Sequence, residues 1–149
     1  MQEDLYSPSL QGREVSNTKS YNIGSLFIVA FFGGVVGVSV LGLRNAKWLR
    51  LERKYILLLL AASVSLFVIN HLIFFAVSNG MISMKDSYFD NIAKGFGILT
   101  FIIYYFTLKK PYKEHLALGG DTEVMFGQGV LWIVISVIIE VAFLQMLGL

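Results

Sequence analysis

The sequence predicts an all-α integral membrane protein, a four-helix bundle of up-down topology. Three observations predict it. The chain of 149 residues is 56% hydrophobic and 15% charged, whereas soluble domains run to about 45–50% apolar and ~25% charged residues. Its apolar residues fall in four long runs, each near the ~20 residues that cross a ~30 Å hydrocarbon layer as a helix. Lysine and arginine gather between the runs, the pattern that orients a chain in a membrane. A soluble domain of this size buries only about two-thirds of its chain surface and could not hide so much apolar area. In lipid each segment must satisfy its own backbone polar groups, which helices do. The runs are longer than the about 9–11 residues of a barrel strand and do not alternate, which argues against a β-barrel.

Residues 1–22 form a polar tail without apolar period, with Glu3, Asp4, Arg13, Glu14 and Lys19 and a Ser7-Pro8 step; a mobile segment is expected. The four-span domain is then residues 23–149. The first span, residues 23–43, has no charge. Gly33 and Gly37 form a GxxxG, with Ala30 and Gly34 on the next row of small residues. Missing side chains let helix backbones approach closely, and packing within the protein's own bundle is favoured over dimerisation. Arg44, Lys47, Trp48 and Arg50 follow, with Arg53 and Lys54 close behind. Tryptophan among cations is an interfacial anchor, attracted to anionic lipid.

The second span is residues 55–77, ended by an Asn79-Gly80 turn. The third is residues 88–108, which Lys109, Lys110, Pro111 and Lys113 are expected to stop. The Gly119-Gly120-Asp121 loop leads to the fourth span, residues 124–147. The segments after spans one and three carry five and three Lys or Arg; the tail and the segment after span two carry two and one. The rule that positive segments stay inside then places both basic segments in the cytoplasm and both termini outside.

Asn70, His71, Lys94 and Glu140 are polar residues within the spans. His71 and Glu140 each lie 16 residues from the cytoplasmic start of their span, or ~24 Å. Lys94 lies 14 residues from the cytoplasmic end of its own, or ~21 Å. The four form one intramembrane polar layer. Such groups normally face the bundle interior and pair, so a Lys94–Glu140 pair is expected, with His71 or Asn70 supplying hydrogen bonds. Ser136 and Asn91 share their faces.

The absence of cysteine excludes disulfides, thiolate nucleophiles and Cys-based metal sites. There is no HExxH, GxSxG, P-loop or GxGxxG. His115, Asp121 and Glu123 share a loop, but their spacing fits no metal motif. No catalytic residue, metal or cofactor is therefore expected. A net charge of +2 with local cations points to the lipid bilayer as partner and not to nucleic acid. Self-association or another membrane protein completes the expected partners.

Leu5–Pro8 in the tail, Ala30–Gly34 in the first span and Arg44–Asn45 after it resemble small multi-pass bacterial membrane proteins of unassigned function. Their first span carries a Phe-Leu-Gly-Gly-Pro-like core and ends in an Asn-Tyr-Arg-like motif. Here the gap between tail and span is longer, and Val35 stands where Pro is often found. The resemblance covers less than a third of the chain and implies a bacterial inner membrane but no activity. The function expected is helix-mediated association with another membrane protein, as a subunit, regulator or immunity protein. The alternative is a small oligomeric transporter or channel that uses the Glu/Lys/His layer as a proton or ion relay.

Overall fold

The computed structural model describes residues 19–83, 85 and 88–146. The tail up to residue 18, with Leu5–Pro8, and the end of the fourth span at Leu147 lie outside the described residues. The architecture is all-α. Helices α1 (Leu26–Trp48), α2 (Arg53–Ser78), α3 (Phe89–Ala117) and α4 (Phe126–Met146) are each long and apolar enough to cross a membrane. A 3-10 turn, Ile23–Ser25, leads into α1. Two three-residue strands, β1 (Lys19–Tyr21) and β2 (Asp121–Glu123), pair in parallel with Lys19 opposite Asp121 and Tyr21 opposite Glu123.

α1 is not a straight rod. At Gly34 the backbone takes φ 56° and ψ −151°, a region that only glycine enters without strain. There the chain turns back on itself. Residues 26–33 run in as one arm and residues 35–48 run out as the other. Long-range contacts establish this fold-back. Tyr21 and Asn45 are 24 positions apart yet hydrogen-bonded at 2.9 Å, where a continuous helix would separate them by ~36 Å. Val29 likewise lies against Gly37. The arms are about 12 and 21 Å long, both short of a ~30 Å hydrocarbon layer.

The hairpin is the centre of the molecule. Half of its most apolar stretch is buried, against 22% in α2 and α3 and 11% in α4. α2, α3 and α4 stand around it. Phe101 of α3 meets Phe27 on the first arm, and Tyr104 lies flat against Gly42 on the second. The core comprises Tyr21, Ile23, Leu26, Val29, Leu41, Leu59, Tyr104 and Leu108, among others. The outward faces of α2 and α4 carry exposed Leu, Val and Ile, as lipid-facing helices do.

Folding back decides which ends lie together. β1, the end of α1 with the start of α2, and the α3–α4 connection with β2 all sit at one end of the bundle. Arg44 there reaches Gln128 near the start of α4. The α2–α3 connection and the end of α4 sit at the opposite end. Up-down alternation of four straight spans, the sequence expectation, would have put β1 and β2 at opposite ends.

Two boundaries also differ. Residues 19–22, expected to be mobile, form β1 and its exit, with Ser20 and Tyr21 buried. α3 does not stop at Leu108 but continues through Pro111 to Ala117. Pro111 removes one donor from the helix, and the inward packing of Tyr112 and burial of His115 hold the extension in place. α1, α2 and α3 end alike. Arg50, Gly80 and Gly119 take positive φ one residue past each cap, and the next N–H returns to a carbonyl five residues back, which is the Schellman closure. Arg50 does so as a non-glycine, with φ 54°.

Candidate functional site: the apex of the hairpin

At its apex the hairpin meets two other helices with almost no side chains between them. Gly97 of α3 lies against the Ala30 carbonyl and 3.1 Å, measured from its would-be Cβ, from Gly34 Cα. On the other side stands Glu140 of α4. Its Oε1 is 2.6 Å from where a Cβ on Gly34 would be. Gly33 faces Ile133, and Gly37 faces Ser136 and the Trp132 carbonyl, both on α4. Both rows of small residues in the first span, Gly33/Gly37 and Ala30/Gly34, are therefore turned inward, one on α4 and the other on α3.

The break gives each charge a helix end to face. The arm of residues 35–48 begins at the apex with its N-terminus, where unsatisfied N–H groups carry positive partial charge. Glu140 stands there. The arm of residues 26–33 ends at the apex with its negative C-terminus, and Phe31 lies in that last turn. The Lys94 ammonium sits 5.4 Å over the Phe31 ring, a cation–π contact with the last turn of that arm. The ion pairs among the described residues are Lys19–Glu123 and Lys54–Glu52; Lys94 and Glu140 do not pair with each other. Each is matched to the hairpin instead.

Asn70 and His71 flank the same level from α2. Asn70 continues the buried stripe of Leu59 and Ser63. Ser63 meets Tyr104 across the antiparallel α2–α3 pair, so Asn70, seven residues on, lies level with Gly97. It is 3% exposed, and its Oδ1 has no hydrogen-bond partner among the described residues. His71 is 4% exposed. Its Nδ1 donates to the Phe67 carbonyl at 2.9 Å, and its ring packs 4.2 Å from Phe67 and 4.6 Å from Phe143 of α4. Ser136 donates to the Trp132 carbonyl, and Asn91 is exposed.

The open end of the hairpin is closed by residues that sequence reasoning passed over. Asn45 is fully buried. Its Oδ1 accepts from Tyr21 N–H and Ser20 Oγ, each at 2.9 Å, and its Nδ2 donates to the Tyr21 carbonyl at 3.3 Å. Tyr21 packs on Trp48 at 4.8 Å. The Arg44 guanidinium lies 4.6 Å over Trp48 and 5.8 Å over Tyr21. Burial pushes the Tyr21 phenol above its usual range, with Arg44 opposing. Lys47 is exposed in the last turn of α1 and Arg50 lies one residue past its cap, Leu49, so the basic anchor is the helix end rather than a loop. His115 Nε2 donates to the Asp121 carbonyl at 3.0 Å, and its ring lies against Gly120, fixing β2. Gly97, Tyr104 and Asn45 each sit in an ordinary helical context, and their roles come only from partners distant in the chain.

Comparison of the chain with family models, with curated proteins and with solved structures returned no match.

Proposed function

We propose that this is a bacterial inner-membrane protein that binds and passes protons or small ions at the hairpin apex, with Glu140 as the exchanging group. The observation that supports this reading is the broken helix at Gly34 set against the half-buried carboxylate of Glu140. Irregular backbone at membrane depth is tolerated only when it is buried in protein or lines water. Transporters use such breaks, with their exposed helix ends, as ion and substrate sites near the midplane. An ionisable residue in the same place is a functional candidate by default.

Association through the small-residue rows, the function expected first from sequence, loses support because both rows are occupied inside the bundle. In this reading the chain crosses the bilayer three times, with α1 dipping in and returning. Three crossings enclose little space, so passage takes place in an oligomer.

The distribution of cations supports an orientation that keeps the basic segments in the cytoplasm but brings the amino-terminal strand there too, in place of both termini outside. Lys19, the five cations of residues 44–54, and Lys109, Lys110 and Lys113 all lie at the β1–β2 end of the bundle, and Lys85 at the other. Nine against one is a stronger bias than four straight spans allow, and it favours an orientation with the β1–β2 end in the cytoplasm and the end of α4 outside.

The test is proton and cation flux in proteoliposomes. Wild type should carry a flux that Glu140→Gln abolishes at unchanged protein level. Equal flux in the two proteins, or none in wild type, would overturn the reading.

A further inference from the structure

Asn70 is the buried polar side chain that the bundle leaves unserved. It is 3% exposed, and its Oδ1 accepts no hydrogen bond from the described residues. A buried acceptor without a donor costs free energy, so its place in the fold is informative. We propose that Asn70 Oδ1 is the acceptor for the proton that Glu140 takes up: the protonated carboxyl donates its O–H to Asn70, and the ionised carboxylate turns back to the hairpin. The inference rests on the reading of Glu140 as the exchanging group and deepens it, with the proton as the species and Asn70 as the positioning residue.

Asn70 stands at the level of the apex. It lies on the buried stripe of α2 with Ser63, which bonds Tyr104 of α3 at 2.9 Å and shares a groove with Val35 and Ser39 of the second arm. That stripe therefore faces the hairpin and α3, and Asn70 meets the level at which Gly97 lies against Gly34. Glu140 comes to the same level from α4. Phe143, one turn beyond Glu140, packs on His71, the chain neighbour of Asn70, with ring centroids 4.6 Å apart. Glu140 and Asn70 thus differ in depth by about one helical turn. Both arms of the hairpin lie on the β1–β2 side of Gly34, so at the apex α2 and α4 are free to meet.

The fixed donors around this level are committed elsewhere. His71 Nδ1–H goes to the Phe67 carbonyl, the Thr100 hydroxyl to the Phe96 carbonyl and the Ser136 hydroxyl to the Trp132 carbonyl. The Lys94 ammonium lies over the Phe31 ring. The remaining donor is the one that proton uptake itself creates. An ionised Glu140 is acceptor-only, and it lies against Gly34, by the positive end of residues 35–48. Uptake of a proton cancels its charge, and with it that attraction, and turns it into a donor. Beside a buried acceptor the new O–H has a partner, and the acceptor gains its donor. The step balances: one proton joins the carboxylate on uptake and leaves it on release, with no other bond made or broken. A metal cation would instead keep its charge beside the positive end of the second arm.

The experiment is infrared difference spectroscopy of the full chain in lipid on acidification, with proton flux measured on the same preparations. The Glu140 carboxyl band is the one that Glu140→Gln removes. Asn70→Leu should move that band to higher frequency, as a bonded O–H becomes free, and should lower flux by about tenfold, the worth of one hydrogen bond. Its Tm should not fall, because an unserved acceptor is replaced by an apolar group of like shape. Asn70→Thr, which keeps an acceptor oxygen, should hold the band near its wild-type frequency, and Lys94→Met should leave it in place. A band indifferent to Asn70→Leu, or one that moves only with Lys94→Met, would overturn the inference. Collapse of a sodium gradient at constant pH, dependent on Glu140, would overturn the proton as the species. Flux lost in Glu140→Gln with a band indifferent to Asn70→Leu removes this inference alone. Flux indifferent to Glu140→Gln removes the passage reading, and the band still reports the bond to Asn70.

Discussion

The carboxylate of Glu140 occupies the space into which a side chain at Gly34 would grow, its Oε1 2.6 Å from the would-be Cβ. Backbone and packing thus demand glycine for two independent reasons: a φ of 56° with ψ −151°, and a filled volume. Gly34→Ala should destabilise the protein by about 1–3 kcal/mol from the backbone alone, with a further cost from displacing Glu140. A double-mutant cycle with Glu140→Ala, read as Tm in detergent, separates the two. Removal of the carboxylate should return the steric part and leave the backbone part. Full recovery would show that no backbone strain is present.

The hairpin puts Lys19 and Lys47 at one end of the bundle, and a chain without cysteine is a clean background for testing whether they share one side of a membrane. Single variants Lys19→Cys, Lys47→Cys and Glu114→Cys should react with an impermeant maleimide from the same side of sealed vesicles. Asn79→Cys should react from the opposite side. Labelling of positions 19 and 47 from opposite sides would mean that α1 crosses the bilayer straight.

Asn45 is the clasp of the hairpin's open end. Asn45→Leu keeps the size but removes three hydrogen bonds and strands the Tyr21 N–H. Leaving a buried donor unsatisfied costs about 1–3 kcal/mol. The expected result is a loss of Tm, with faster amide exchange confined to Ser20, Tyr21 and Thr122. Uniform loss of protection across α2 and α3 would show instead that Asn45 supports the whole bundle.

The β1–β2 pair should depend on pH at both extremes. Lys19 holds the Glu123 carboxyl below its usual range, and Glu123 holds the Lys19 ammonium above its own. A depressed carboxyl pKa contributes stability above the unfolded value of about 4.3 and loses it as pH falls through the folded one. A raised ammonium pKa contributes below about 10.4 and loses it as pH rises through the folded one. Protection of the Thr122 amide, corrected for intrinsic exchange, should therefore be greatest between those limits, and Lys19→Met should flatten the curve. Both groups are exposed, so the effect is small and confined to the strands. A curve unchanged by Lys19→Met would exclude the pair as its cause.

The four apolar helices were legible because hydropathy reports length and burial tendency. It does not report direction. An uncharged run of 21 residues fits one crossing or the two arms of a hairpin equally well, and Gly33-Gly34 near its middle was read as a packing surface. The cations hold a signal that distinguishes the two: from Lys19 onward and outside the spans, nine against one for a hairpin is more lopsided than eight against two for straight spans. β1 was illegible for another reason. Three residues have no usable period, and their partner strand lies about a hundred positions away. The polar layer was drawn from helical rise alone. The structure brings Glu140 and Lys94 to the apex but gives each a helix end in place of the other, an arrangement invisible until the helix was known to break. Pro111 signals a stop by local propensity, which the inward packing of Tyr112 and the burial of His115 override.

A chain with four membrane-length apolar helices would ordinarily return to the compartment where it began. Here one glycine changes that parity. With α1 re-entrant, as proposed above, the amino-terminal strand and the end of α4 face different compartments, while the connections after Gly34 keep the sides that four straight spans would give them. Reporters inserted before β1 and after α4 would then give opposite readings, and it is the side of the amino-terminal strand that a single backbone angle sets, rather than the number of greasy segments.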